Sequence, residues 1–237
     1  MKIFMIGDST MKNNNIYSYP QNGWGQQLYL FTKPGVVIED YAENGRSTKS
    51  FIEEKRFDFV LSRMKKGDYL IVEFGHNDEK INDPNRYTRP YVEYVENLNF
   101  FAEEAKKLGV HTVFATSITR HKFENGVCVN SHGDYPLAML KFAKENNYTC
   151  IDMNKLTIDL YNELGEEKSS KFHMIFGPNI YETYPDGKDD HSHLMYDGAV
   201  RIAKVFVEAI QNTKDPINEC FLSLKEKEEI DFEMLKD

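Results

Sequence analysis

Apolar positions along this chain fall into short runs and helical stripes that take turns. Ile3-Phe4-Met5-Ile6 is an apolar run stopped by Gly7-Asp8, the pattern of a strand buried on both faces. Similar runs at 36–41, 69–74, 110–117 and 148–153 predict four more strands. Between them, Trp24, Gln27, Leu28 and Phe31 repeat at helical spacing before Pro34-Gly35, and Phe57, Val60, Leu61 and Met64 do so before Lys65-Lys66-Gly67. The best stripe is Tyr91, Tyr94, Val95, Leu98, Phe101, Ala102, Ala105 and Leu108, closed by Gly109. Further helices are predicted over 134–147, capped by Asp134, over 156–164, and over 194–210 with Ala199, Ile202, Ala203, Phe206 and Ile210 inward.

Three stretches break this alternation. Glu124-Asn125-Gly126, between two β-prone runs, predicts a hairpin within 120–129. Residues 169–193, with Pro178, Pro185 and Gly187, read as one long polar loop, a length that usually signals function or disorder. Past Pro216, the spacing of Ile217, Cys220, Phe221 and Leu224 predicts an amphipathic helix running into a charged, solvated face at 225–229. Strands alternating with helices imply an α/β protein with a five-stranded parallel sheet in three α/β/α layers, doubly wound and flavodoxin-like. Residues 1–212 form the domain, and 213–237 a helical extension packed on it or on a partner, a homodimer included.

Composition narrows the function. At 237 residues with 41% hydrophobic and 13% aromatic residues, the chain supports one well-filled core. No apolar run approaches the roughly 18 residues a membrane span needs. Three cysteines without a CxxC pair suggest neither a disulfide framework nor a cysteine metal site, and the chain opens directly into a strand rather than a signal segment. A cytoplasmic protein is the expectation, although a mature, processed form would read the same. A net charge of −9 argues against nucleic acid. Locally, Arg86, Arg89, Arg120, His121 and Lys122 leave room for a small anionic ligand.

Candidate chemistry collects at strand ends, where parallel sheets build sites. Ser9 follows the first strand, Gly45 the second and Asn77 the third. Asp190 and His193 stand three apart, a spacing that lets the carboxylate reach Nδ1 while Nε2 faces a serine. Ser9 would then be a nucleophile, His193 its base and Asp190 the orienter. The N–H groups of Ser9 and Gly45 and the Asn77 amide would bind an oxyanion. Read singly, Gly-Asp-Ser is an ordinary turn, and Asp186, Asp189, Asp190, His191 and His193 could instead ligate zinc or manganese, which would leave Ser9 and Asn77 without work.

Together these motifs resemble the SGNH, or GDSL-type, hydrolases. Gly7-Asp8-Ser9 matches the serine block, Gly45 the glycine block, Gly75-His76-Asn77-Asp78 the GxND block and Asp190-His191-Ser192-His193 the DxxH block. Asp8-Ser9-Thr10, Gly23-Trp24-Gly25, Pro185-Asp186-Gly187 and the Gly198-Ala199 ending look most like the rhamnogalacturonan acetylesterase branch, over residues 2 to about 210. Ser192 stands where that branch usually has threonine, and His191 is a rival base. The resemblance implies a cofactor-free, metal-free serine esterase removing O-acetyl groups from pectin-derived oligosaccharides. Arg46, Arg86, Arg89 and Arg120 are the expected binders of substrate carboxylates, and Tyr184, among loop tyrosines, of sugar rings. Rival readings are another SGNH acyl hydrolase, such as a lipase, thioesterase or acetyl-xylan esterase, and a carbohydrate-binding module that has lost catalysis.

Overall fold

The computed structural model describes residues 1–224. Its centre is a parallel sheet of β1 (Lys2–Gly7), β2 (Val37–Asp40), β3 (Tyr69–Glu73), β4 (His111–Ala115) and β7 (Thr149–Ile151), in the order β2-β1-β3-β4-β7. This is the doubly wound order that the alternation predicts. Ile3, Met5, Ile71 and Val113 face one side of the sheet, and Phe4, Ile6, Leu70 and Phe114 the other. Because strand side chains alternate, an unbroken apolar run supplies both cores at once.

The first core is covered by α1 (Trp24–Gln27), α6 (Met153–Leu164) and α8 (Tyr196–Gln211). The second is covered by α2 (Thr48–Glu53), α3 (Arg56–Leu61), α4 (Val95–Lys107) and α5 (Tyr135–Glu145). Helix α2 lacks an apolar stripe and was not expected. Ser47 starts it, its side chain accepting the Ser50 N–H while the Ser50 hydroxyl accepts the Ser47 N–H. Asp134 holds the N-cap position of α5 but makes no side-chain cap bond, whereas Asp152 caps α6 by accepting from the Lys155 N–H. The hairpin expected at 120–129 is β5 (Phe123–Glu124) paired antiparallel with β6 (Val127–Cys128).

Two expectations need correction. Residues 169–193 are not one loop: after α7 (Glu166–Ser170), β8 (His173–Phe176) and β9 (Lys188–Leu194) form an antiparallel ribbon. Its pairing jumps from Met174–Asp190 to His173–Leu194, so His191, Ser192 and His193 bulge out of the ladder. The expected tail helix begins as a short 3-10 turn at Pro216–Cys220, and Phe221 then bridges to Thr32. Ile217, Cys220 and Phe221 are buried in the first core. The charge run at 225–229 and the rest of the extension lie outside the described residues.

Candidate active site

β1 ends by delivering Asp8-Ser9-Thr10 at the carboxyl edge of the sheet. The Asp8 carboxylate accepts the N–H and hydroxyl of Thr10 at 2.9 Å each, and its carbonyl accepts from Met11 and Lys12, which fixes the turn carrying Ser9. Beneath it, burial and then the charge of Asp8 push the Glu73 carboxyl well above the usual carboxylate range. The Thr10 hydroxyl that donates to Asp8 also lies 3.4 and 3.3 Å from the two Glu73 carboxyl oxygens, so the two acids meet at one side chain under the serine.

His193 comes from the bulge of β9. Its Nε2 accepts from Ser9 Oγ at 2.9 Å, and its Nδ1 donates to Asp190 Oδ2 at 2.7 Å. The other carboxylate oxygen accepts the N–H groups of Ser192 and His193, at 2.9 and 3.0 Å, which the bulge frees from the ladder. Burial raises the Asp190 carboxyl, but the bonds from the His193 ring and these two N–H groups outweigh it and hold the group ionised, well below the usual range. His191 is turned away: its Nδ1 lies 3.0 Å from the His121 carbonyl and its Nε2 3.1 Å from Asp189. His193 alone of the two faces Ser9. The five residues weighed as a metal set do not gather. Among the described residues the one trio with ligand atoms within 4.8 Å is Asp8, Glu73 and His76.

Opposite the histidine, Gly45 and Asn77 face the same cleft of about 370 Å³ as Ser9. Asn77 Nδ2 donates to the Arg46 carbonyl at 3.0 Å, and its Oδ1 accepts from Arg86 Nη1 at 3.2 Å. A guanidinium only donates and a carbonyl only accepts, so the amide is fixed with its second N–H free for the cleft. Among the described residues neither the Ser9 nor the Gly45 N–H donates to a protein acceptor. Gly75 is required for the loop that presents Asn77: at φ +152 a Cβ would meet the Ser117 hydroxyl at 2.5 Å.

The expected substrate-binding residues divide. Arg86 and Arg120 line the cleft. Arg46 and Arg89 do not line it, their guanidinium groups being paired with Glu54 and Glu93. Tyr184 is also outside it, packed on Phe176 at the far end of the ribbon with Lys188 over its ring. Sequence reasoning missed Gln21, Asn44, His76, Lys80 and Ser192 as cleft residues. Of these, His76 lies inside the Gly75-His76-Asn77-Asp78 motif, the one sequence signal that could have found it.

Comparison with known proteins settles what this geometry belongs to. Residues 3–206 match the family described as GDSL-like Lipase/Acylhydrolase. The chain belongs to this family. It is therefore a carboxylic ester hydrolase, and within the family it is similar to two proteins of Bacillus subtilis (strain 168). The rhamnogalacturonan acetylesterase RhgT is 37% identical over 97% of this chain and 98% of its own length. The probable rhamnogalacturonan acetylesterase YesY is 34% identical over 93% of this chain and 97% of its own. Among solved structures, the YxiM protein of Bacillus subtilis superposes with a TM-score of 0.74 at 23% identity, covering 89% of this chain and 56% of that one, a likeness of fold. The branch resemblance seen in the motifs extends over nearly the whole hydrolase.

Proposed function

We propose that this hydrolase is a serine acetylesterase that removes O-acetyl groups from rhamnogalacturonan-type oligosaccharides through an acyl-enzyme. The observation that carries the reading is the unbroken relay from Ser9 Oγ to His193 to Asp190 beside three free donors. Ser9 Oγ attacks the acetyl carbonyl carbon as its proton passes to His193 Nε2, and the carbonyl oxygen becomes an oxyanion held by Ser9 N–H, Gly45 N–H and Asn77 Nδ2. On collapse the C–O bond to the sugar breaks, and His193 returns the proton to the leaving alkoxide. Water, deprotonated by the same Nε2, then attacks the acetyl-serine and releases acetate. Asp190 keeps Nδ1 protonated throughout, so Nε2 can accept. No step calls for a metal or an organic cofactor.

The acetyl group and the sugar come from the relatives' names and are supported by the cleft, which is lined by hydroxyl, amide and cationic groups rather than the apolar wall a long acyl chain would need. p-Nitrophenyl acetate hydrolysis by the wild type and its loss in Ser9→Ala test for an enzyme against an inactive binding module. Acetate release from acetylated rhamnogalacturonan oligosaccharides should exceed that from acetylated xylo-oligosaccharides at matched ester concentration. Equal or greater release from xylan fragments would reassign the substrate and leave the serine mechanism standing.

A further inference from the structure

The cleft is cationic in a protein of net charge −9. Lys80, Arg86 and Arg120 line it, with no carboxylate among the lining residues. The three cations are not equivalent. Arg120 is spent on the protein: Nη2 pairs with Glu79, Nη1 donates to the Ser131 carbonyl at 3.1 Å and Nε to Ser192 Oγ at 3.2 Å. Arg86 is likewise committed, with Nε on Asp83 and Nη1 on Asn77 Oδ1. Each arginine is thus neutralised by its own carboxylate and acts as scaffold.

Lys80 differs from both. Its backbone N–H donates to the Asn77 carbonyl at 3.2 Å, pinning it one turn beyond the oxyanion amide. Among the described residues no carboxylate lies within salt-bridge distance of its ammonium, so that charge is the uncompensated one at the cleft. The charge is felt inside. Burial is the main reason His76 is held well below the ordinary histidine range, and the charges of His132, Arg120, His193 and Lys80 add to it. His76 is buried, lines the same cleft and, among the described residues, leaves Nε2 without a partner, so the cleft that holds Ser9 carries both this imidazole and the Lys80 ammonium.

We propose that Lys80 is the residue that reads substrate charge, its ammonium binding the carboxylate of a uronic acid unit adjoining the acetylated sugar. This rests on the carbohydrate reading above and adds to it a specificity residue that the arginine-based expectation passed over. A free ammonium suits the task because a mobile point charge meets a carboxylate at the end of a flexible chain without disturbing the network that fixes Asn77. A neutral acetylated sugar gains nothing from it.

The test is acetate release by wild type, Lys80→Gln and Lys80→Arg from acetylated galacturonate-bearing oligosaccharides and from the same material after its uronic carboxyls are reduced to alcohols. The ratio of kcat/KM on the two forms cancels differences in folding and enzyme concentration. The wild type should prefer the acidic form, with the preference fading as salt is added. Lys80→Gln should shrink that preference about three- to tenfold, through KM, and flatten its salt dependence, while Lys80→Arg should retain most of it. A Lys80→Gln enzyme with the wild-type preference overturns the proposal and leaves the carbohydrate reading intact, as does a wild type indifferent to carboxyl reduction. A wild type that hydrolyses p-nitrophenyl acetate yet neither saccharide form removes both.

Discussion

The two walls of the active site are built in opposite ways. On the oxyanion wall, the loops after β2 and β3 are locked by buried side chains: Asp78 accepts the Thr48 N–H at 3.1 Å and the hydroxyls of Thr48 and Thr88, while Tyr135 donates to the Asp78 carbonyl at 2.9 Å. On the base wall, the β8–β9 ribbon is held largely by main chain. Asn22 N–H donates to the Leu194 carbonyl, His121 N–H to that of His191 and Met195 N–H to that of Phe172, each at 2.8 Å. The difference follows from the work each wall does. Oxyanion donors must already be aimed when charge appears, since reorganising them would forfeit the stabilisation. The imidazole needs only its carboxylate to set tautomer and plane, and Asp190 supplies that within the bulge.

The comparison can be broken most directly at the relay, which joins the two walls. Ser9→Ala and His193→Ala should each lower kcat by about 10⁴-fold or more without shifting the melting temperature, and the double variant should be no worse, because such groups act as a unit. On the oxyanion wall, Asn77→Ala should cost about 10²–10³ in kcat with little change in KM. Wild-type kcat in that variant would remove the amide from the site. Asp78→Ala, which touches no substrate, should destabilise the fold by about 1–3 kcal/mol by leaving Thr48 and Thr88 unpaired, and lower kcat less than Asn77→Ala does. Full activity with normal melting would show that the wall needs no buried lock.

Acidity pulls the walls in opposite directions. Burial, resisted by the Thr48 and Thr88 bonds, raises Asp78 from 3.8 to about 7, so between those values the folded state binds more protons and stability falls as pH rises. Asp190 is depressed, so its contribution is present above 3.8 and lost as pH falls below that. The melting temperature of Asp78→Asn relative to wild type should therefore improve from pH 5 to about 8. For Asp190→Asn the deficit should shrink as pH drops toward 3. Parallel pH curves for wild type and Asp78→Asn would refute the shift. The smallest effect belongs to the base wall: His191→Ala should keep kcat within about threefold, its ring facing His121 and Asp189. A dead His191 variant beside an active His193→Ala would reverse the assignment of the base.

Much of this was legible along the chain because it depends on neighbours in sequence. Apolar runs such as Ile3-Phe4-Met5-Ile6 and stripes such as Leu98, Phe101, Ala102 and Ala105 face their cores by strand and helix periodicity alone, so five strands and their order of use could be read. Ser9, Gly45 and Asn77 follow three of those strands, and a parallel sheet carries all such ends to one edge. The i, i+3 spacing of Asp190 and His193 likewise holds within one local turn. What tertiary structure decided is whatever depends on a partner distant in sequence. The Lys188–Leu194 strand is too polar to show a strand pattern and exists because β8 pairs with its backbone. The charge of Arg120 is spent because the fold brings Glu79 to it across 41 residues, whereas Arg46, Arg86 and Arg89 are paired by the nearby Glu54, Asp83 and Glu93. Lys80, unremarkable as a sequence letter, stands out only once the folded chain shows that no acid among the described residues pairs with it.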